Sequence, residues 1–88
     1  MSLNLVFEAL SHPVRRRILV LLRDKSMSAG ELASHFDLSK PTLSVHFNKL
    51  VEAELVIRER QGTSLIYTAN LSVLEDALSR FLDFRETE

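Results

Sequence analysis

Two short stretches of this chain carry side chains able to bond to a polyanion. Ser39-Lys40-Pro41-Thr42, followed by Val45, His46 and Lys49, gathers hydroxyls, ammonium groups and an imidazole within three helical turns. Hydroxyls at a helix N-terminus can meet phosphate, because the free backbone N–H groups and the helix dipole there already favour an anion. Val45 could touch a thymine methyl, and an imidazole such as His46 can donate or accept at a base edge. Farther on, Arg58, Arg60 and the Gln61-Gly62-Thr63 tip have the composition of a segment that lies along a phosphate backbone or minor groove.

Other chemistries find less support. Ser, His and Asp are present, but none stands in an elbow or triad-like context, and no Gly-rich phosphate loop exists, so no enzyme is expected. There is no cysteine, which removes thiolate metal sites, cysteine nucleophiles and disulfides together and fits a reducing compartment, the cytoplasm. No histidine follows His46. The acids that remain near the C-terminus suit Mg²⁺ or Ca²⁺ rather than a tight transition-metal sensor, so neither a metal site nor a cofactor is expected. No apolar run reaches membrane-spanning length, and Met1 to Glu8 lack the basic start of a secretory signal. The net charge of −1 conceals a basic middle, with nine Lys/Arg against six acids over residues 11–70, between acidic ends. A polyanion would face that middle.

The elements that must position these residues are short and well marked. With only two Gly and two Pro, helices should dominate the 88 residues of a single domain. Leu3, Val6, Phe7 and Leu10 recur at helical spacing over about 3–10, and Leu5 and Ala9 widen the stripe. Ser11-His12-Pro13 ends that helix and opens a second, buried through Val14, Ile18, Leu21 and Leu22. Ser28-Ala29-Gly30-Glu31 has the form of a capping box, with Met27 as its hydrophobic staple on Leu32, so a short third helix starts near 29. Asp37 can adopt the left-handed stop. Ser39 then caps a fourth helix with Pro41 in its first turn, Leu43, Phe47 and Leu50 inside, and Thr42, Val45, His46 and Lys49 outside. Residues 55–60 and 65–68 alternate like strands around Gln61-Gly62-Thr63, predicting a β-hairpin. A second capping box, Ser72 to Glu75, opens a last helix over about 72–84, with Val73, Leu74, Ala77, Leu78, Phe81, Leu82 and Phe84 in a broad apolar band.

The fold class is mainly α with a β-hairpin wing, in the order α1-α2-α3-α4-β-β-α5. Two short helices joined by a three-residue turn and followed by a hairpin are a winged helix-turn-helix, whose second helix enters the major groove of DNA. Here the chain resembles the ArsR/SmtB family of winged helix-turn-helix repressors. The resemblance rests on Ala9-Leu10-Ser11-His12-Pro13-Val14-Arg15-Arg16-Arg17-Ile18-Leu19, on residues 28–56, and on Leu65-Ile66-Tyr67. It is most similar to the small, cysteine-free SdpR-type members. The resemblance implies a homodimeric repressor that controls its own operon, with base and backbone contacts at Ser39, Lys40, Thr42, Val45 and His46. Metal-sensing members carry a cysteine pair where this chain has Glu31-Leu32-Ala33-Ser34, so the family's usual effector has no ligands here.

Expected partners are therefore a double-stranded DNA operator and a second copy of the chain, with a protein partner as one means of relieving repression and no membrane insertion. Helices as apolar as the first and last exceed what so small a core can cover. Leu3, Val6, Phe7, Leu10, Leu74, Leu78, Phe81 and Leu82 are assigned to the dimer interface. The expected DNA face is Ser39, Lys40, Pro41, Thr42, Val45, His46 and Lys49 with Arg58, Arg60, Gln61, Gly62 and Thr63. Arg15-Arg16-Arg17 is as readily a solvated basic patch as a set of phosphate contacts. The competing reading is a winged helix that binds protein instead of DNA, for which the outer face of the fourth helix should be apolar or acidic.

Overall fold

The computed structural model describes residues 1–83; Phe84, assigned above to the last apolar band, lies outside them. The element order is α1 (Leu3–Leu10), α2 (Pro13–Leu22), β1 (Met27–Ser28), α3 (Ala29–Ala33), α4 (Lys40–Glu52), β2 (Val56–Gln61), β3 (Ser64–Ala69) and α5 (Leu71–Leu82). Local chemistry sets most of the starts. The Ser2 hydroxyl accepts from the Leu5 N–H, and His12 caps α2 by accepting from the Val14 N–H, with Pro13 filling the first-turn position that lacks a helical partner. Ser28 and Glu31 complete their capping box in both directions. The two hydrogen bonds from Ser28 also hold the Glu31 carboxyl below the usual carboxylate range.

Three starts and stops differ from expectation. Helix α5 begins at Leu71, and Asn70 is its cap without a side-chain bond, so the box from Ser72 to Glu75 does not form. Strand β3 runs to Ala69 and the Asn70 N–H donates to the Leu55 carbonyl, which fixes the turning point two residues before Ser72. Asp37 is not left-handed. The residue that is, with φ 63°, is Glu54 at the end of α4. There the Leu55 N–H reaches the Leu50 carbonyl and the Glu54 N–H the Val51 carbonyl, the two bonds of a Schellman stop, with Leu50 and Leu55 both buried beside it.

The hairpin β2–β3 is antiparallel from Val56↔Ala69 to Gln61↔Ser64, leaving Gly62 and Thr63 as a two-residue turn. Gly62 has φ 62°, the positive value that primed hairpin turns require at their first central residue. A third strand, too short to show as a pattern, joins it: β1 pairs with β3 through Met27↔Tyr67 and Ser28↔Ile66, giving the order β1-β3-β2. The core lies between this sheet and the helices and centres on Val6, Ile18, Leu32, Leu43, Leu50 and Leu55. Phe47 and Tyr67 stack within it at 4.7 Å between ring centroids, joining α4 to the wing.

The two ends meet. Helix α5 packs on α1, and the rings of Phe7 and Phe81 make an edge contact at 5.3 Å. Only Ala77 of α5 is buried, and Leu78, Phe81 and Leu82 are 44, 51 and 68% exposed. Leu3, Phe7, Leu10 and Leu74 are half-buried. Val6 is fully enclosed by the protomer's own core, because with Ala9 it forms the inner stripe of α1, so it is withdrawn from any interface.

Candidate nucleic-acid interface

The last turn of α3 tightens. Bonds from the His35 N–H to Leu32 and from the Phe36 N–H to Ala33 carry helix-like backbone past Ala33, leaving residues 37–39 as the turn before α4. Ser39 then caps α4, its hydroxyl accepting from the Thr42 N–H at 3.3 Å and donating to the Thr42 hydroxyl at 2.9 Å. This organises the first turn and leaves the Thr42 hydroxyl at an exposed position beside Lys40. Four buried residues, Leu43, His46, Phe47 and Leu50, dock α4 on the core. Lys40, Pro41, Thr42, Ser44, Val45 and Asn48 lie on the exposed side, with Val45 55% exposed.

The wing lies against that surface. Arg58 and Arg60 are two residues apart in β2 and so project from one face of the hairpin. The Arg58 guanidinium donates to the Asn48 side-chain amide oxygen Oδ1 at 2.7 Å, which brings its charge to the edge of the α4 outer face. Arg60, Gln61, Gly62 and Thr63 are exposed along the strand end and tip. Ser39, Lys40, Pro41, Thr42, Val45 and the five wing residues are all exposed.

Two expected members are not. His46 is 7% exposed and turned inward, where its Nδ1 accepts from the Arg15 guanidinium at 3.0 Å and its ring lies 4.4 Å from that of His12. The reason is register: position 46 stands three residues after Leu43 and four before Leu50, inside the stripe that faces the core. Burial first, then the charges of His12 and Arg15, hold the His46 imidazole below its ordinary range. Lys49 leans the other way along the helix, and its ammonium pairs with the Glu8 carboxylate of α1 at 2.6 Å. That hydrogen bond and charge raise the Lys49 pKa and lower that of Glu8. Lys49 is thus committed to α1.

The basic run on α2 divides as well. Arg15 is buried, its Nε donating to the Ala9 carbonyl at 2.8 Å and a terminal nitrogen to the Glu8 carbonyl at 3.0 Å, so it ties the end of α1 to α2 and α4. Arg16 donates to the Leu10 carbonyl at 2.7 Å. Ser44 and Asn48 were missed by the sequence reading, although with Pro41 and Val45 they complete an i, i+3, i+4, i+7 stripe opposite the apolar one. Among the described residues no group of three or more His, Cys, Asp or Glu could hold a metal ion, and no helix is long and apolar enough to cross a membrane.

Known proteins share this architecture. Residues 10–59 match the family described as a helix-turn-helix domain. The chain is 44% identical over 82 residues to the transcriptional repressor SdpR of Bacillus subtilis, covering 93% of this chain and 91% of that one. It is 38% identical over 86 residues to the arsenical resistance operon repressor of Staphylococcus xylosus, covering 98% and 82%. Among solved structures, an ArsR-like transcriptional regulator from Rhodococcus superposes with a TM-score of 0.81 at 30% identity, over 97% of this chain and 79% of that one. The transcriptional repressor BigR from Xylella fastidiosa does so at 0.71 and 26% identity, over 92% and 84%.

Proposed function

The chain belongs to the ArsR/SmtB-type winged helix-turn-helix repressors and is a DNA-binding transcriptional repressor; from that premise we propose that it works as a homodimer on an inverted-repeat operator. Helix α4 enters the major groove with Thr42, Ser44, Val45 and Asn48 toward base edges and Ser39, Lys40 and the helix start toward phosphate. Arg58, Arg60 and the tip at Gln61, Gly62 and Thr63 follow the flanking backbone. The observation that carries this reading is the exposed α4 face with Arg58 fastened to its edge at Asn48, which presents helix and wing as one surface.

The apolar residues left open on α5, with the half-buried Leu3, Phe7, Leu10 and Leu74, support a two-fold interface built from α1 and α5. Such a dimer would set two recognition helices about 34–36 Å apart, one turn of B-DNA, and so demands an operator with inverted symmetry. It also gathers the acidic ends centrally and leaves the basic middles on DNA. The arsenical repressor's role does not transfer: without cysteine this chain has no thiolate to offer a soft metal or arsenic. Repression is relieved instead by a protein partner or another ligand, and the working compartment is the cytoplasm.

Selection of random DNA on the purified protein tests the proposal. Enriched sites should be inverted repeats, and sedimentation should find two chains per duplex. Asymmetric sites bound by one chain would refute the dimeric reading, and absence of any enrichment would refute sequence-specific binding.

A further inference from the structure

The buried cluster under α4 has a constrained protonation state. A guanidinium has donors and no acceptor, so the His46 nitrogen 3.0 Å from Arg15 must be unprotonated, and the ring is neutral with its proton on Nε2. The same guanidinium spends its other nitrogens on the Ala9 and Glu8 carbonyls, at the C-terminal end of α1. One side chain thereby joins α1, α2 and the inner face of the recognition helix. The groups that face His46 are few. Arg15 of α2 and the α2 cap His12 act on it directly, while on the neighbouring elements Lys49 of α4 is paired with Glu8 of α1. The Glu8 carboxylate is already engaged by Lys49 at 2.6 Å. A proton on His46 would place a donor against a donor and a cation beside the Arg15 cation, with no carboxylate left to offset it.

We propose that Arg15 and His46 form a pH-sensitive positioning device for the recognition helix, neutral His46 clamping α4 in its DNA-reading pose and protonated His46 releasing it. The proposal rests on α4 being the helix that reads DNA. Its sign is set by the neutral state of the folded form. Burial and the neighbouring cations hold His46 below the ordinary imidazole value. The clamp is therefore fully present above about pH 6.5, the unfolded value, and is lost as pH falls below it toward the folded value. General electrostatics runs the opposite way. Added positive charge on the protein strengthens its attraction to DNA. A loss of operator affinity in acid is thus specific to the clamp.

The test measures the full chain by fluorescence anisotropy, at constant ionic strength, from about pH 7.5 to about pH 5.5, the range in which imidazoles titrate. The probes are the inverted-repeat duplex enriched from the random library and a scrambled duplex of the same composition. The wild type should lose affinity for the selected duplex progressively as the pH falls through this range, while the scrambled duplex holds or tightens. His46→Asn puts an amide oxygen near the position of Nδ1, so it accepts from Arg15 at every pH. It should keep neutral-pH affinity and flatten the profile. Nitrogen NMR of the free wild type gives a reading independent of DNA and of any variant's folding: His46 should carry its proton on Nε2 at neutral pH. A flat or rising wild-type profile, an unchanged slope in His46→Asn, or a proton on Nδ1 would overturn the proposal. Failure of the recognition-helix reading looks different, since Thr42→Ala and Val45→Ala would then keep full sequence discrimination at neutral pH whatever the NMR reports; that result too overturns the proposal.

Discussion

Replacing Glu54 by glycine should stabilise the protein without changing what it binds. Glu54 holds φ 63° at the stop of α4, where its Cβ crowds the following carbonyl, a conformation that costs an L-residue about 1–2 kcal/mol. Glycine removes that cost but brings back unfolded-state entropy of about 0.5–1 kcal/mol. One surface ion pair also goes, between Glu54 and the Met1 amino group at 3.4 Å. With the glutamate side chain 61% exposed, that pair contributes about 0.3 kcal/mol. The net gain is about 0.5 kcal/mol. With a urea m-value near 1 kcal/mol/M for so small a chain, the midpoint should rise by about 0.5 M with m unchanged. Protein concentration must be held fixed, because unfolding of the proposed dimer would be concentration-dependent. Glu54→Ala is the control. It loses the ion pair, keeps the Cβ, and should fall slightly below wild type, so the glycine–alanine difference isolates the backbone. Operator affinity should stay within about twofold for Glu54→Gly, since the stop already has the geometry glycine prefers. An alanine variant as stable as the glycine variant would refute the argument from left-handed strain.

Three further outcomes are expected. Thr42→Ala and Val45→Ala should relax discrimination at defined operator positions by about 1–3 kcal/mol, read by competition between the selected duplex and its single-base variants. Arg58→Ala and Arg60→Ala should instead weaken all duplexes about equally and lower the salt slope by about 0.9 for each phosphate no longer neutralised; unchanged slopes would mean the wing stands off DNA. Phe81→Asp places a charge where an apolar seam is proposed and should convert the protein to a monomer by sedimentation, with the half-site affinity that remains far below that for the full operator. A dimeric Phe81→Asp protein would remove α5 from the interface.

What the sequence made legible was whatever is written locally. Capping pairs such as Ser28 with Glu31, the proline of a first turn, and alternation around Gly62 act between residues a few positions apart, and those elements stand where the patterns put them. The misreadings share a different cause. His46 is polar in type but apolar in register, and its partner Arg15 lies thirty-one residues away, so nothing near it announces a buried bond. Lys49 was assigned outward by charge, yet its anion is Glu8 on another helix, forty-one residues distant. Ser72 had the letters of a cap, but the long-range backbone bond from Asn70 to Leu55 decided where α5 turns. Side-chain type outweighed helical phase in those readings, and phase was the better guide: the stripe through Leu43, Phe47 and Leu50 already claims position 46, while that through Pro41 and Val45 claims Ser44 and Asn48.

The pairing of Met27 with Tyr67 bears on how the protein is made. All the helices that could read DNA are complete by Glu52, yet β1, which leads directly into the cap of α3, has no strand to join until β3 has been synthesised. A chain emerging vectorially from the ribosome would therefore carry a helix-turn-helix whose first helix is not yet anchored. Competence for DNA would arrive late and all at once, when residues 64–69 fold back over the interval. The same dependence predicts that a fragment ending after α4 binds DNA poorly, although it contains α4 entire.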